Sequence, residues 1–127
     1  MSEFQRLILP LPVTTNHSHI NIRRDNRLMR IRSEATKQYM HDAYWLAVAW
    51  RNKSGWVMAR GTTRVIVRYW TYMPDKRRRD TSNLAKVMLD SLTGALWEDD
   101  QYVLPQAMGV GVDKQNPRVE IELEVFR

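Results

Sequence analysis

"RVEIELEVF", residues 118–126, is the most regular stretch of the chain and the best guide to its fold class. Apolar side chains occupy every second position, and polar ones stand between them. This alternation predicts a half-buried β-strand whose inward side chains are Val119, Ile121, Leu123 and Val125. The glutamates between them would face outward. A strand of this kind needs a sheet with one face packed against another layer.

Three more strands are expected around this one, at residues 4–9, 62–73 and 103–113. The run "TTRVIVRYWTYM" at 62–73 is rich in β-branched and aromatic residues, which favour strands. Val65, Val67 and Tyr69 would lie on one face of this strand. The other face, with Arg64, Ile66, Arg68 and Trp70, would be only partly polar. Prolines end the first two strands, and we expect glycines to interrupt the third.

Two helices are predicted between the strands. Ser33 has the character of an N-cap, and the helix would run to about Arg51. Its apolar stripe is expected to comprise Ala35, Tyr39, Ala43, Leu46 and Trp50. The second helix would span about 82–94 and end near Gly94. Its buried face is expected to carry Leu84, Met88 and Leu92, and its polar face Asn83, Lys86 and Asp90. The mixture predicts an α+β fold in a single domain, residues 1–127.

The composition limits the classes of function. The 127 residues carry a net charge of +6 and contain no cysteine. Disulfides, thiol nucleophiles and thiolate metal sites are therefore excluded. The basic balance favours an anionic partner such as nucleic acid. No apolar run reaches the roughly 18 residues that a membrane span needs, so we expect a soluble cytoplasmic protein without membrane contact.

The stretch "KRRRDTSNLAKVMLDSLTGALWEDD", residues 76–100, places cations directly beside acids. The cations Lys76, Arg77, Arg78 and Arg79 suit DNA phosphates. The acids Asp80, Asp99 and Asp100 suit Mg²⁺, which prefers oxygen ligands. The alternatives are a solvated loop for the cations, a helix cap for Asp80, a solvated turn for the later acids, and a surface ion pair between Lys86 and Asp90. A helix of about 12 residues spans about 18 Å, so Asp100 can meet Asp80 only if the chain reverses, which Gly94 permits.

The basic segment 13–32 is loop-like, with a hairpin expected to turn at Asp25 and Asn26. His17 and His19 could ligate a metal, but a DNA-facing loop is the favoured interpretation because no third ligand lies nearby. Trp97, beside the acids, is a candidate for base stacking.

The stretch from "MPDKRRRD" to "WEDD" resembles the core signature of the RusA family of Holliday-junction resolvases. The family pattern is close to R-D-x-D-N-x-x-K, then D-A-L, then D-D before an apolar residue. The matching positions are Arg79, Asp80, Asn83, Lys86, Asp90, Leu92, Asp99 and Asp100. "LPLPVTTN" and "SEATKQY" resemble the family's N-terminal segment and the start of its first helix.

The resemblance implies a homodimeric endonuclease that uses Mg²⁺, with Mn²⁺ as a substitute and no small-molecule cofactor. It implies a mixed sheet with two main helices packed on it. By position, the first metal-binding aspartate is Asp80 and the third is Asp100, while the second falls on Ser82. Either Asp90 or Asp99 compensates, or Ser82 itself holds a metal-bound water.

Lys86 is the implied catalytic lysine. The implied DNA contacts are Lys76, Arg77, Arg78, Arg79, Asn16, Arg23, Arg24 and Lys114. The predicted function is resolution of Holliday junctions by paired nicks in recombination and repair, in a bacterial or phage-infected cell. Two alternatives stay open: a junction-binding protein with weak or no catalysis, because of Ser82, and an RNA-directed nuclease.

Overall fold

The computed structural model describes residues 3–12, 19–24, 27–77 and 82–126. In chain order the strands and helices are β1 Leu7–Leu9, β2 His19–Arg24, β3 Arg27–Arg32, α1 Glu34–Ser54, β4 Arg64–Met73, α2 Ser82–Leu92, β5 Val103–Val112 and β6 Arg118–Phe126. A single turn of 3₁₀ helix, Asp100–Tyr102, precedes β5. The α+β class and the mixed sheet with two helices are therefore confirmed.

The main sheet has four strands in the order β1-β6-β4-β5. β6 is antiparallel to both β1 and β4, whereas β4 and β5 are parallel. Parallel neighbours need a crossover connection, and α2 supplies it. The crossover brings α2 back along the sheet toward the start of β5, which is where the acids of the candidate site lie.

The strict alternation of β6 is confirmed. Val119, Ile121 and Leu123 are buried in the core, and Val125 packs against it. On β4, Val65 and Val67 share one face, as predicted, and both are fully buried beneath the helices. These strands could be assigned correctly because one face of each is covered and the other is not.

The strand at 103–113 differs from the prediction because it is continuous through its glycines. A Cβ added at Gly111 would lie 3.1 Å from Cδ1 of Tyr72 on β4. That approach is tighter than most side chains tolerate, so glycine allows the tyrosine ring to lie flat against β5 instead of breaking the strand.

Helix α1 begins as predicted. The Ser33 side chain accepts a hydrogen bond from the Thr36 amide at 3.2 Å, which satisfies one free amide of the first turn. The helix ends three residues later than expected, at Ser54, where Gly55 takes the left-handed conformation with φ of 83°.

The buried stripe of α1 is only partly the predicted one. Tyr39 and Ala43 are buried, but Thr36 and Ala47 take the flanking positions, and Ala35 and Leu46 are exposed. Helix α2 matches its prediction, since Leu84, Met88 and Leu92 are all buried.

The predicted hairpin strands are confirmed as a separate two-stranded sheet of β2 and β3. The predicted turn residues Asp25 and Asn26 lie outside the described part of the chain. The register of the two strands sets Arg23 opposite Leu28 and Arg24 opposite Arg27. Pairing of β2 with β3 therefore brings several basic residues of segment 13–32 into one two-stranded sheet.

Candidate active site

The chain reverses after α2, as the glycine at position 94 allowed. Gly94 takes a positive φ of 91°, and its amide donates to the Trp97 carbonyl at 2.7 Å. Trp97 then forms bridges to Ala59 and Thr93, which fix the returning segment. This turn carries Asp100 back along the side of α2 before β5 begins.

A cleft of about 380 Å³ lies between α2 and the start of β5. Its polar lining consists of Lys86 and Asp90 from α2, Asp100 from the 3₁₀ turn, and Tyr69 from β4. Its apolar lining consists of Ala85, Leu89, Val103 and Pro105. An acid and a lysine that are 14 positions apart in sequence thus line one cavity.

The two adjacent acids, Asp99 and Asp100, have different environments. The Asp99 carboxylate accepts hydrogen bonds from the Gln101 amide at 3.0 Å and from Nε2 of Gln101 at 2.7 Å. The amide bond first, and then the side-chain bond, lower the pKa of Asp99. Asp99 is thus an N-cap of the 3₁₀ turn. Asp100 instead lines the cleft and is exposed.

Asp90 also lines the cleft, but its carboxylate is bound by a cation. Nη2 of Arg32 lies 3.0 Å from Oδ2 of Asp90. Arg32 is the last residue of β3, so this ion pair fastens the base of the basic hairpin to α2 beside the cleft. The alternative of an ion pair between Lys86 and Asp90 is not borne out, because Asp90 pairs with Arg32 among the described residues.

Several arginines of the main sheet are neutralised. Arg6 pairs with Glu120 and Glu122, and Arg68 pairs with Glu124. Arg118 pairs with Glu120 and with Asp113. These cations lie on the sheet face away from the helices, so they are poorly placed to neutralise a polyanion bound at the cleft.

The predicted phosphate contacts Lys76, Arg77 and Lys114 lie at one end of the sheet. Met73 at the end of β4 is in register with Val112 at the end of β5, and the Asp113 amide donates to the Met73 carbonyl at 2.7 Å. The side chain of Arg77 contacts Asp75 at 3.4 Å.

Several predicted site residues lie outside the described part of the chain: Asn16, Arg78, Arg79 and Asp80. Arg23, Arg24 and Ser82 are described as backbone members of β2 and α2. The structure therefore brings together Lys86, Asp90 and Asp100, leaves Asp99 as a cap, and does not place the first predicted ligand.

Within the described ranges, no group of three acids or histidines is arranged to hold a metal ion. Asp100 fits as one oxygen donor, because it is exposed in the cleft. Mg²⁺ keeps several waters and binds proteins through one or two carboxylates, so a single further carboxylate would complete such a site.

Trp97 is buried in the core, contrary to the expectation that it is a base-stacking candidate. It is 1% exposed, and its indole Nε1 donates to Oγ1 of Thr93 at 2.9 Å. Sequence reasoning also missed Tyr69 and Arg32. Tyr69 was assigned only to a strand face, and Arg32 gave no signal beyond its place before the helix cap.

A larger cavity, of about 710 Å³, lies elsewhere, next to Trp56, Val57 and Phe126. Its lining mixes apolar side chains with the carboxylates of Glu3 and Glu124 and includes no lysine or arginine. A phosphate would meet no cation of that lining, so the smaller cleft is the better candidate site.

The fold and the cleft define a class of small, basic α+β proteins that hold a lysine and an acid in one cavity beside a basic hairpin. The chain belongs to the endodeoxyribonuclease RusA family, whose family model matches residues 10–124. Membership implies nuclease activity on DNA and resolution of Holliday junctions. No curated protein matches the chain. None of the described helices is long and apolar enough to cross a membrane.

Proposed function

We propose that the protein is a Mg²⁺-dependent, structure-selective endodeoxyribonuclease that cuts Holliday junctions by paired symmetric nicks. The observation that carries the proposal is the cleft that Asp100 and Lys86 both line. Family membership supplies the substrate class, and the cleft supplies the pair of groups that phosphodiester hydrolysis needs.

Asp100, together with Asp80, would hold the metal. Mg²⁺ bound there would polarise the phosphate and lower the pKa of attacking water. The ammonium of Lys86 would stabilise the negative charge that develops on the phosphate oxygens. The apolar lining formed by Leu89 and Val103 would exclude water and strengthen that interaction.

The basic hairpin and the cations at 76–79 would bind the DNA backbone. Their contacts are charge-based and should weaken steeply with added salt. The Arg32–Asp90 pair would keep the hairpin beside the cleft, so that the bound junction and the cutting group stay in register.

A four-way junction has two-fold symmetry, and its resolution needs two matched nicks. Two identical subunits related by a two-fold axis would present two equivalent clefts. We therefore include a homodimer in the proposal.

The test is single-turnover cleavage of a four-way junction with Mg²⁺, comparing wild type with Asp100→Asn and with Asp99→Asn. Asp99→Asn is the matched control, because asparagine keeps the capping acceptor and removes the same charge one residue away. We expect Asp100→Asn to slow cleavage by at least about 100-fold, more than the loss of groups that merely support a ligand. Asp99→Asn should remain near wild type.

Calorimetric titration of the same variants with Mg²⁺ gives a second readout, in which Asp100→Asn should weaken binding and Asp99→Asn should not. Equal cleavage by all three proteins would refute the site assignment. Tight junction binding without Mg²⁺ binding or cleavage would instead support a non-catalytic junction-binding protein, the candidate favoured by the serine at position 82.

A further inference from the structure

Tyr69 is the exposed member of an otherwise buried face of β4. By strand alternation, the side chains that this face turns toward the helices are Val65, Val67, Tyr69, Thr71 and Met73. The other four are no more than 5% exposed, whereas Tyr69 is only half-buried. The strand is thus covered on either side of Tyr69 and open at this one position, where the cleft lies.

The pairing of β4 with β5 becomes irregular at the same place. Tyr69 is in register with Ala107, and the next residue, Trp70, is in register with Gly109. Met108 is therefore an extra residue on β5, which makes a β-bulge. Bulges bend a strand and change the direction of nearby side chains, and they are frequent beside active sites. The bulge and the gap in the covering layer both mark the position of Tyr69.

The hydroxyl of Tyr69 has no hydrogen-bond partner among the described residues, unlike that of Tyr39. Tyr39 is buried and donates to the Pro10 carbonyl at 3.0 Å, so its hydroxyl serves the core. Burial raises the pKa of Tyr69 above its ordinary value, so the hydroxyl stays protonated at neutral pH and can donate. A neutral donor that the described fold leaves without a partner thus lines the cleft.

We propose that Tyr69 contacts the substrate, with its hydroxyl donating a hydrogen bond to a non-bridging oxygen of the phosphate that is cut. The inference rests on the proposed function, which places that phosphate in the cleft. Asp90 and Asp100 can only accept hydrogen bonds when ionised, so the donors among the polar side chains of the lining are Lys86 and Tyr69. Lys86 belongs to α2 and Tyr69 to the sheet, so the two donors reach a bound phosphate from different elements.

A phenol adds to the site what a second lysine would not. Negative charge grows on the phosphate oxygens as the bond is cut, and a fixed donor aimed at one of them stabilises that charge. Because the phenol is neutral, it does not repel a metal ion held by Asp100, as a second ammonium would. Tyr69 should therefore act more on the rate of cutting than on the affinity for DNA.

The first test compares Tyr69→Phe, which removes only the hydroxyl, with Tyr72→Phe. Tyr72 lies on the outer face of the same strand, where the guanidinium of Arg118 stacks over its ring at 4.2 Å. In single-turnover cleavage of a four-way junction with Mg²⁺, Tyr69→Phe should be at least about 10-fold slower than wild type. Tyr72→Phe should cut at the wild-type rate. Equal rates for Tyr69→Phe and wild type would overturn the proposal.

Sulfur substitution in the DNA identifies the contacted atom, because sulfur is a weak hydrogen-bond acceptor. Each non-bridging oxygen of the scissile phosphate is replaced in turn by sulfur, and both substrates are cut by wild type and by Tyr69→Phe. For one substrate the sulfur and the missing hydroxyl remove the same bond. Their combined loss of rate should then be at least about 5-fold smaller than the product of the separate losses. A full product for both substrates, which a merely structural role of Tyr69 predicts, would overturn the contact.

Affinity separates this inference from the proposed function. In an Asp100→Asn background without metal no strand is cut, and the carboxylate that would repel the phosphate is absent. Adding Tyr69→Phe to this background should weaken junction binding about 3-fold or more in fluorescence anisotropy, and adding Tyr72→Phe should not. That result, with no cleavage by wild type, would keep the phosphate contact and remove the nuclease. Cleavage by wild type, with no effect of Tyr69→Phe on rate or affinity, would remove the contact and keep the nuclease.

Discussion

Asp90 has two competing roles, and the pair Arg32–Asp90 allows them to be separated. As a metal ligand, Asp90 would compensate for the serine at position 82. As a tether, it would hold the hairpin against α2 through its 3.0 Å contact with Arg32. The structure favours the tether, because a carboxylate neutralised by a guanidinium is a weaker ligand for a cation.

The size of the tether effect follows from the exposure of the pair. The Arg32 side chain is 42% exposed and that of Asp90 is 26% exposed. Ion pairs this accessible contribute about 0.2–1 kcal/mol, because solvent and salt screen them. The partial burial of Asp90 places the pair near the upper end of that range. Breaking it should therefore weaken junction binding about 2- to 5-fold.

The assay combines junction affinity by fluorescence anisotropy with single-turnover cleavage across a Mg²⁺ series. Arg32→Ala and Asp90→Ala should cause similar small losses, and the double variant should lose no more than either one, since each removes the same contact. The swap of Arg32→Glu with Asp90→Arg should restore part of the affinity. Arg60→Ala, which breaks the separate Arg60–Glu98 pair at 3.3 Å, is the matched control.

A different pattern would refute the tether. If Asp90→Ala slowed cleavage by about 100-fold or more and raised the Mg²⁺ requirement, while Arg32→Ala behaved as wild type, Asp90 would be acting on the metal. Loss of the tether alone could not make the two variants differ in this way, because both substitutions break the same ion pair.

Three further predictions concern the core, the outer face and the site. Trp97→Phe should lower the free energy of unfolding by about 1–3 kcal/mol in urea, because it leaves a void and removes the bond to Thr93, yet junction affinity of the folded protein should be unchanged. The hydrogen bond from Arg118 lowers the pKa of Asp113, so its stabilisation is present above the unfolded pKa near about 4 and is lost as the pH falls through the lower folded value. The midpoint temperature of thermal unfolding should then fall less steeply with decreasing pH for Arg118→Met than for wild type. An identical dependence on pH in the two proteins would contradict this. Ser82→Asp should lower the Mg²⁺ concentration needed for half-maximal cleavage if position 82 has lost a ligand, and an unchanged midpoint would show that it has not.

The sheet could be predicted well wherever one face of a strand is covered. Val119, Ile121 and Leu123 of β6 repeat every second position because each meets the core. The first helix was less predictable, since it carries apolar residues on several sides. Leu46 fits the helical period yet is exposed, and Ala47, one position away, is buried. Burial there depends on which side α1 turns to the sheet, which local periodicity does not contain.

The site was predictable in composition but not in arrangement. Asp99 and Asp100 are identical side chains in adjacent positions, and nothing local distinguishes them. Their roles separate only because the turn at Gly94 and the 3₁₀ turn direct one carboxylate to the Gln101 amide and the other into the cleft. The sequence pattern identifies both aspartates as candidate ligands, but the path of the backbone determines which of them lines the cleft.

The net charge of +6 likewise does not predict which surface binds phosphates until the ion pairs of the cations are known. The three arginines Arg6, Arg68 and Arg118 are matched by the outward glutamates of β6, so the face of the sheet away from the helices is close to neutral. The hairpin is fastened to α2 by Arg32, and Lys86 lies in the cleft on the same helix. Lys86 is thus separated by the sheet from the arginines that the β6 glutamates neutralise. DNA should approach from the helix side, because Lys86 and the Asp100 carboxylate line one cleft there.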